Sequence, residues 1–213
     1  MRQSLDSNVT RLLLVRHSET QWNREGRYQG QQDSPVTPEG LAQAEAVAGR
    51  LRNVHIDALY ASDLDRCITT ARVIERATGT PLQVDERLRE RNHGLFEGLT
   101  KAEVKQRYPD EYSEYRGPQG SDYVLPGGES RRQVYTRAVA VMEDLVAGRR
   151  GERIAVVGHA GFFYVFFNYV MSVPIDVRNV FVIRNCSLSV VSFDDKRWRV
   201  EMLGDVCHLG IFA

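Results

Sequence analysis

The fold is decided by residues 11–20, RLLLVRHSET, in which an uninterrupted apolar run ends on an arginine and a histidine. A short apolar run without polar alternation is typical of a strand that is buried on both faces. Residues 153–161, RIAVVGHAG, repeat the arrangement and also place a histidine directly after the apolar run. The two stretches therefore predict two buried strands, each of which ends close to a histidine.

Strand-like and helix-like segments alternate along the rest of the chain. We predict further strands at 56–61 and 81–84, helices at 38–51, 64–78, 130–147 and 162–173, and a C-terminal hairpin at 187–193 and 198–203. Thr37 is suited to cap the first of these helices, and Gly79 is suited to end the second. Strands that alternate with helices predict an α/β protein, a three-layer α/β/α sandwich around a mostly parallel sheet. Such sheets bind ligands beyond the carboxyl ends of their strands.

Length, composition and charge limit the classes of protein to consider. With 213 residues and no repeat or linker, the chain is expected to form one domain over 11–213 after a polar tail at 1–10. Its 28 basic residues equal its 28 acidic ones, so net charge would attract neither a nucleic acid nor an acidic membrane surface. The sequence has neither the apolar span of a membrane helix nor the core of a signal peptide, and we expect a cytoplasmic protein.

Basic side chains follow three of the predicted strands. Arg16 and His17 follow the first strand, Arg66 lies just after the strand at 56–61, and His159 follows the strand at 153–157. Each residue taken singly is explained as a structural or solvated side chain. Together, two guanidinium groups, two imidazoles and a helix N-terminus suit the dianion of a phosphate monoester. A neutral imidazole can attack phosphorus and form a phosphohistidine, so we predict a phosphoryl-transfer site.

Five sequence blocks together resemble the histidine phosphatase (phosphoglycerate mutase-like) superfamily, although each is weak when taken alone. The blocks are residues 16–23 with Gly30 and 33–40, residues 62–71, residues 88–98, residues 127–130 and residues 157–160. The resemblance covers nearly the whole chain from Arg11 onward. It implies the α/β/α fold of that superfamily with a small helical cap, inserted here at about 95–126.

The resemblance also implies roles for residues of this sequence. His17 would be the nucleophile, and Glu90 would be the proton donor, protonated when it donates and ionised when it activates water. The alternative for Glu90 is a surface partner of a neighbouring arginine. The groups that would hold the phosphoryl oxygens are Arg16, Arg66 and His159, and those that would contact the substrate are Asn23, Gln29, Gly30 and Ala160.

The family contains phosphatases and mutases, and the two classes differ in the length of the segment inserted as a cap. Bisphosphoglycerate-dependent mutases carry a long insertion with an Arg-Arg-Ser-Tyr-Asp stretch, and the segment between Glu90 and Glu129 has no such stretch. A short cap would leave a phosphohistidine accessible to water. We therefore expect a phosphatase that needs no metal and no cofactor, with phosphoglycerate mutase activity as the alternative.

The C-terminal segments 184–189 and 204–209 resemble those of bacterial phosphatases labelled as a second type of phosphoglycerate mutase, and those of metal-independent phosphoserine phosphatases. That resemblance implies that His93, His208 and Leu209 lie at the substrate pocket. It favours a small phosphorylated metabolite, phosphoserine or a similar carboxylated ester. The alternatives are that His93 only orders Glu90 and that His208 packs on the edge of the sheet.

Other interpretations explain fewer residues. Asp63 and Asp65 superficially match the paired aspartates of magnesium-dependent haloacid dehalogenase-type phosphatases, but that match leaves both histidines unused. The spacing from Cys67 to Arg72 is one residue short of the loop of cysteine-dependent phosphatases. A catalytically silent phosphate-binding module would normally lack the nucleophile or the acid.

Two further expectations concern the thiols and the oligomeric state. The three cysteines lack the paired spacings of a zinc site or a redox motif, so we expect reduced, buried thiols. The helix at 162–173 carries more aromatic residues than one core needs, and the surplus favours a homodimer.

Overall fold

The computed structural model of the protein describes residues 9–117, 120–177 and 181–210, and a six-stranded β-sheet forms its centre. The strands are β1 (Thr10–Arg16), β2 (Ala58–Ala61), β3 (Leu82–Val84), β4 (Arg153–Gly158), β5 (Leu188–Phe193) and β6 (Trp198–Asp205). Their order across the sheet is β3-β2-β4-β1-β5-β6. The strands β1 to β4 run parallel, and β5 pairs with both its neighbours in the antiparallel direction. The predicted mostly parallel sheet is confirmed.

The two apolar stretches form neighbouring strands at the centre of the sheet. Parallel pairing of β1 with β4 aligns Arg16 with Gly158. The backbone N–H of His17 then donates to the carbonyl oxygen of Gly158 over 2.9 Å. The register therefore brings the two histidines that follow these strands to the same edge of the sheet.

Seven α-helices occur in the described part of the chain. They are α1 (Gln21–Glu25), α2 (Pro38–Leu51), α3 (Asp65–Thr78), α4 (Lys101–Arg107), α5 (Pro109–Arg116), α6 (Arg131–Gly148) and α7 (Ala160–Val170). Leu13 and Val15 of β1 belong to the core that contains α2 and α3, while Leu12 and Leu14 belong to the core that contains α6 and α7. Successive side chains of a strand point to opposite faces. The helices thus cover both faces, which confirms the three-layer sandwich.

Helix ends agree with the sequence where a capping residue marks them. The Thr37 hydroxyl accepts from the backbone N–H of Gly40 over 2.9 Å and caps α2. Gly79 ends α3 in the left-handed conformation, with φ of 74°. Helix α7 begins at Ala160 and ends at Val170, earlier at both ends than the predicted span of 162–173. His159 takes the N-cap position directly after β4, so Ala160 and Gly161 already belong to the helix.

Two helices of the structure, α1 and α4, were not predicted. Both begin with a capping box. The hydroxyl groups of Thr20 and Thr100 accept from the backbone N–H groups of Asn23 and Glu103, and the side chains of Asn23 and Glu103 accept from the backbone N–H groups of the two threonines. Helix α4 and helix α5 lie within the segment expected to form the cap. There the side chains of Phe96, Val104 and Leu125 form a small apolar cluster of their own.

The aromatic side chains of α7 pack inside this chain. Phe162, Phe163, Phe166 and Phe167 are each at most 1% exposed and belong to the core on one face of the sheet. Tyr164 and Tyr169 of the same helix are partly buried and pack against that core, and the homodimer stays a prediction.

The cysteines are free thiols, but only two of the three are buried. Cys67 and Cys186 lie in the core, as expected, whereas Cys207 is exposed because it sits in the short 3-10 turn Cys207–Leu209 after β6. None of the helices in the described ranges combines the length and the apolar character that crossing a membrane requires.

Candidate active site

His17 lies at the carboxyl end of β1 and is only 3% exposed. Its Nδ1 is 2.8 Å from the carbonyl oxygen of Ser18. Because a carbonyl oxygen only accepts, the neutral ring carries its hydrogen on Nδ1 and its lone pair on Nε2. Burial, followed by the charges of Arg66 and Arg16, holds the pKa of His17 well below its usual value. The ring is therefore a neutral imidazole with a nucleophilic Nε2.

His159 faces His17 from the end of β4, with the two ring centroids 5.3 Å apart. It is fully buried, and burial is the main cause that lowers its pKa well below the usual value. The thiol of Cys67 packs against its ring, with Sγ 3.4 Å from Nε2. Ala160 follows as the first residue of α7, where backbone N–H groups have no partner within the helix.

Arg66, near the start of α3, is 1% exposed and is anchored through its outer nitrogens. One of them, Nη1, donates to the carbonyl oxygen of Gln32 and to the carboxylate of Asp33, both over 2.7 Å. The other, Nη2, donates to the carbonyl oxygen of Gly30 over 2.6 Å. Its buried Nε–H has no hydrogen-bond partner among the described residues.

Arg16 follows the same pattern. Its Nη1 donates to the carbonyl oxygen of Ile183 over 2.8 Å, and its buried Nε–H meets no acceptor in the described ranges. Both Arg16 and Arg66 lower the pKa of His17, so both positive charges lie close to the imidazole. A buried N–H without a partner is rare and calls for an explanation. An anion beside His17, with oxygens that accept from both guanidinium groups, would supply it.

Glu90 stands at the N-terminus of α7. The backbone N–H of Arg91 donates to its Oε1, and that of Gly161 donates to its Oε2, both over 2.8 Å. A Cβ atom at position 161 would lie 2.4 Å from Oε1, so a larger residue there would displace this carboxyl group. Because Gly161 lies in the first turn of α7, which begins directly after His159, this bond places Glu90 near the two histidines.

A clamp from α6 holds the segment that carries Glu90. Arg137 donates through Nη1 to the carbonyl oxygens of Arg87 and Arg89, over 2.8 and 2.7 Å. Its Nη2 lies 3.1 and 3.0 Å from the two carboxylate oxygens of Glu129. Arg137 therefore holds the backbone of this segment in place, and its own charge is paired with Glu129.

The first loop contributes backbone and amide groups. The side-chain oxygen of Asn23 accepts from the N-cap residue of α1 and from Asn185, and Asn185 also donates to the carbonyl oxygen of His17. Gln29 is buried. Gly30 has a φ of +57°, and a Cβ there would overlap the carboxyl group of Glu97. Its carbonyl oxygen reaches the site through Arg66.

His93 lies in the segment after Glu90, packed edge-on against the rings of Tyr28 and Tyr115. Burial and the charge of Arg91 lower the pKa of His93 to about 3, so its ring is neutral. Its Nδ1 is buried and has no hydrogen-bond partner in the part of the chain that the structure describes. A cavity of about 160 Å³ begins beside it and reaches Gly161; its lining includes Arg91, His93, Tyr115, Arg131, Gly161 and Tyr164.

The C-terminal residues contact a different part of the molecule. The ring of His208 lies between the guanidinium group of Arg50 and the carbonyl oxygen of Cys186, at 3.1 and 2.9 Å. Leu209 packs on the core of α2 and α3. The contacts of His208 are those expected for a packed tail residue, and its place at the substrate pocket stays a prediction.

Sequence reasoning missed the groups that hold the site residues in place. These are the carbonyl oxygen of Ile183, the backbone N–H of Gly161 and the side chain of Arg137. Of these, only Gly161 has a signal in the sequence, because it lies two residues after His159. Within the described ranges, no three His, Cys, Asp or Glu side chains are grouped as a metal ion would require.

Known proteins are similar to this chain in both sequence and fold. The model of the family described as "Histidine phosphatase superfamily (branch 1)" matches residues 12–206. The protein named "Probable phosphoglycerate mutase GpmB" from Enterobacter sp. (strain 638) is 36% identical over 208 residues, covering 94% of this chain and 95% of the relative. The metal-independent phosphoserine phosphatase of Arabidopsis thaliana is 34% identical, covering 96% and 85%. The solved structure of Bacillus stearothermophilus YhfR is 32% identical, covers 94% and 99%, and superposes with a TM-score of 0.88.

Proposed function

Because this chain belongs to the histidine phosphatase superfamily, we propose that it is a metal-independent phosphomonoesterase that forms a phosphohistidine at His17. Its substrates are small carboxylated phosphate esters such as phosphoserine. One observation carries the proposal: a buried, neutral His17 offers its Nε2 lone pair beside two guanidinium groups whose Nε–H donors have no acceptor among the residues described. That combination suits attack on a bound phosphoryl group.

In the first step, His17 Nε2 forms a bond to phosphorus as the bond between phosphorus and the ester oxygen breaks. The charge on the phosphoryl oxygens is met by Arg16 and Arg66, and the neutral ring of His159 can donate a hydrogen bond to one of them. The leaving alkoxide takes a proton from the carboxyl group of Glu90, which the N–H of Gly161 holds beside the site. The products of this step are a free alcohol, a phosphohistidine and a carboxylate.

In the second step, a water molecule attacks the phosphohistidine. Glu90, now ionised, accepts a proton from that water as its oxygen bonds to phosphorus. The bond between phosphorus and His17 breaks, and its electron pair returns to Nε2. Inorganic phosphate leaves, and the carboxyl group is again protonated for the next substrate.

The relatives carry both names, mutase and phosphatase, and the cap favours hydrolysis. A mutase has to keep its phosphohistidine away from water until the second hydroxyl arrives. Here α4 and α5 are short helices of seven and eight residues, and they surround only a small apolar cluster. We therefore place transfer to water ahead of transfer to phosphoglycerate.

The test is phosphate release from phosphoserine, 3-phosphoglycerate, fructose 2,6-bisphosphate and an aryl phosphate, with EDTA present. Phosphoglycerate isomers are measured in the same tubes. The proposal predicts fast release from a carboxylated ester, abolished by His17→Ala. Transfer between the hydroxyls of phosphoglycerate with little free phosphate would mean that the chain is a mutase. Binding without turnover would mean that it is a silent phosphate-binding module.

A further inference from the structure

Glu97 takes no part in the chemistry described above, yet its carboxylate joins two segments of the site. The residue follows the short 3-10 turn Gly94–Phe96. Its Oε1 accepts from the backbone N–H of Gln31 and from that of His93, both over 2.9 Å. One carboxylate oxygen therefore ties the first loop to the segment that follows Glu90.

The peptide group between Gly30 and Gln31 is held at both ends. Its N–H, which is that of Gln31, donates to Glu97 Oε1. Its carbonyl oxygen, which is that of Gly30, accepts from Arg66 Nη2 over 2.6 Å. A peptide group is planar, so the direction of its N–H fixes the direction of its carbonyl oxygen. Because a carboxylate at the N–H and a guanidinium group at the oxygen polarise the same peptide, each bond strengthens the other.

The backbone at Gly30 leaves room for this carboxylate. Its φ is +57°, in the left-handed region that favours glycine, and a Cβ there would lie 1.7 Å from Glu97 Oε1. The carboxylate thus occupies the space that a side chain at position 30 would take. The conformation and the close approach at Gly30 both serve the contact with Glu97.

Arg66 depends on the first loop for its orientation. Within the described ranges, its guanidinium group makes three hydrogen bonds, which go to Gly30, Gln32 and Asp33. Its Nε–H, which has no acceptor among the same residues, belongs to the same planar group. A shift of the loop would therefore move the donor that the proposed function assigns to the phosphoryl oxygens.

We propose that Glu97 is a positioning residue, which holds the peptide group between Gly30 and Gln31 and thereby aims Arg66 at the phosphoryl group. This assignment rests on the proposed function, because it takes Arg66 as a group that binds the phosphoryl oxygens. Catalysis of phosphoryl transfer comes mainly from positioning and from stabilisation of charge, so a misplaced guanidinium group lowers the rate on every ester.

The experiment measures kcat/KM for p-nitrophenyl phosphate, whose leaving group needs little protonation, so that the parameter reports on the phosphoryl site. Glu97→Ala removes the acceptor, and kcat/KM should fall about 10- to 100-fold, the effect of one charge-assisted hydrogen bond. Glu97→Gln keeps an oxygen that can accept both N–H groups, so the fall should be no more than about fivefold. The control is Glu75→Ala, which should leave kcat/KM unchanged. Glu75 also accepts from a backbone N–H over 2.9 Å, but that of Leu82 at the start of β3.

A double-mutant cycle separates positioning from a general loss of stability. If Glu97 acts through Arg66, then Glu97→Ala should change kcat/KM by less than about threefold once Arg66→Ala has removed the guanidinium group. A purely structural role would give the same loss in both backgrounds. Equal losses in the two backgrounds, or an unchanged kcat/KM in Glu97→Ala, would overturn the assignment.

Binding of orthovanadate, measured by calorimetry in buffer without EDTA, gives a readout that does not need the Arg66 variant. A misplaced guanidinium group should raise the dissociation constant in Glu97→Ala about 10- to 100-fold, whereas a smaller folded fraction would change only the number of binding sites. An unchanged dissociation constant would also overturn the assignment. If the wild-type protein neither binds orthovanadate nor releases phosphate from any ester tested, the proposed function fails instead.

Discussion

Arg137→Gln should selectively damage the transfer of a proton to the leaving group. The substitution removes the two bonds to the carbonyl oxygens of Arg87 and Arg89 and leaves Glu129 without its charged partner. Hydrogen bonds to charged groups are worth about 1.5–3 kcal/mol. The side chains of Arg137 and Glu129 are only 21% and 25% exposed, so water screens their ion pair little. We therefore expect a loss of about 2 kcal/mol in the free energy of unfolding, together with a less well-fixed Glu90.

The leaving group sets the size of the kinetic effect. General acid catalysis contributes about 10²–10⁴-fold, so partial misplacement of Glu90 should lower kcat/KM for phosphoserine by about 10- to 100-fold. An aryl phosphate with an acidic phenol needs little protonation, and its kcat/KM should fall by less than about threefold. The comparison uses kcat/KM because this parameter reports on the steps from free enzyme and substrate up to formation of the phosphohistidine, in which the leaving group is protonated.

The assay compares phosphoserine and p-nitrophenyl phosphate across pH for the wild type, Arg137→Gln and Arg137→Lys. Arg132→Gln, on the same helix with an exposed partner, serves as the control. Lysine should restore part of the activity on phosphoserine, since it keeps the charge. Equal losses on both esters, or no loss on phosphoserine, would refute the idea that Arg137 positions the acid.

Three further outcomes follow from the same geometry. Gly161→Ala places a Cβ 2.4 Å from Glu90 Oε1 and should lower kcat/KM on alkyl esters at least tenfold. Gly148→Ala is the control, because a Cβ at that position meets open space and should leave kcat/KM unchanged. Equal rates in the two variants would contradict the contact between residue 161 and Glu90. The depressed pKa values of the two buried site histidines mean that the unfolded chain binds the extra protons. The free energy of unfolding should therefore fall as the pH drops below about 6.5, by up to ~1.4 kcal/mol per pH unit for each of His17 and His159. Equal denaturation midpoints at pH 7 and pH 5 would contradict the burial of these two rings. His93→Ala and His208→Ala should each lower the rate on phosphoserine relative to an aryl phosphate, and unchanged relative rates would remove both from the substrate pocket.

The parts of the fold that the sequence predicted are those set by local pattern. The apolar runs before His17 and His159 define the central strands. Thr37 and Gly79 mark helix ends because capping by a hydroxyl group and the left-handed conformation of a glycine depend only on neighbouring residues. Helices α1 and α4 were missed because they are short, and short helices depend on tertiary contacts rather than on their own periodicity.

The candidate site was predictable in its reacting groups but not in its support. His17, Arg16 and Arg66 follow strands, so the topology of a parallel sheet brings them together. The clamp by Arg137 and the clearance at Gly161 join segments far apart in the chain, and their side chains have no local signature. Cys207 was misjudged for a related reason, since burial of a single thiol depends on where the tail packs.

The central claim, a phosphohistidine at His17, is tested most directly in Glu90→Gln with p-nitrophenyl phosphate. The good leaving group needs no acid, whereas attack by water loses its base, so the phosphoenzyme should accumulate. We predict a burst of about one nitrophenol per active site and a phosphate label on His17 that is stable to alkali and labile to acid. No burst and no label, or a label on another side chain, would contradict the account.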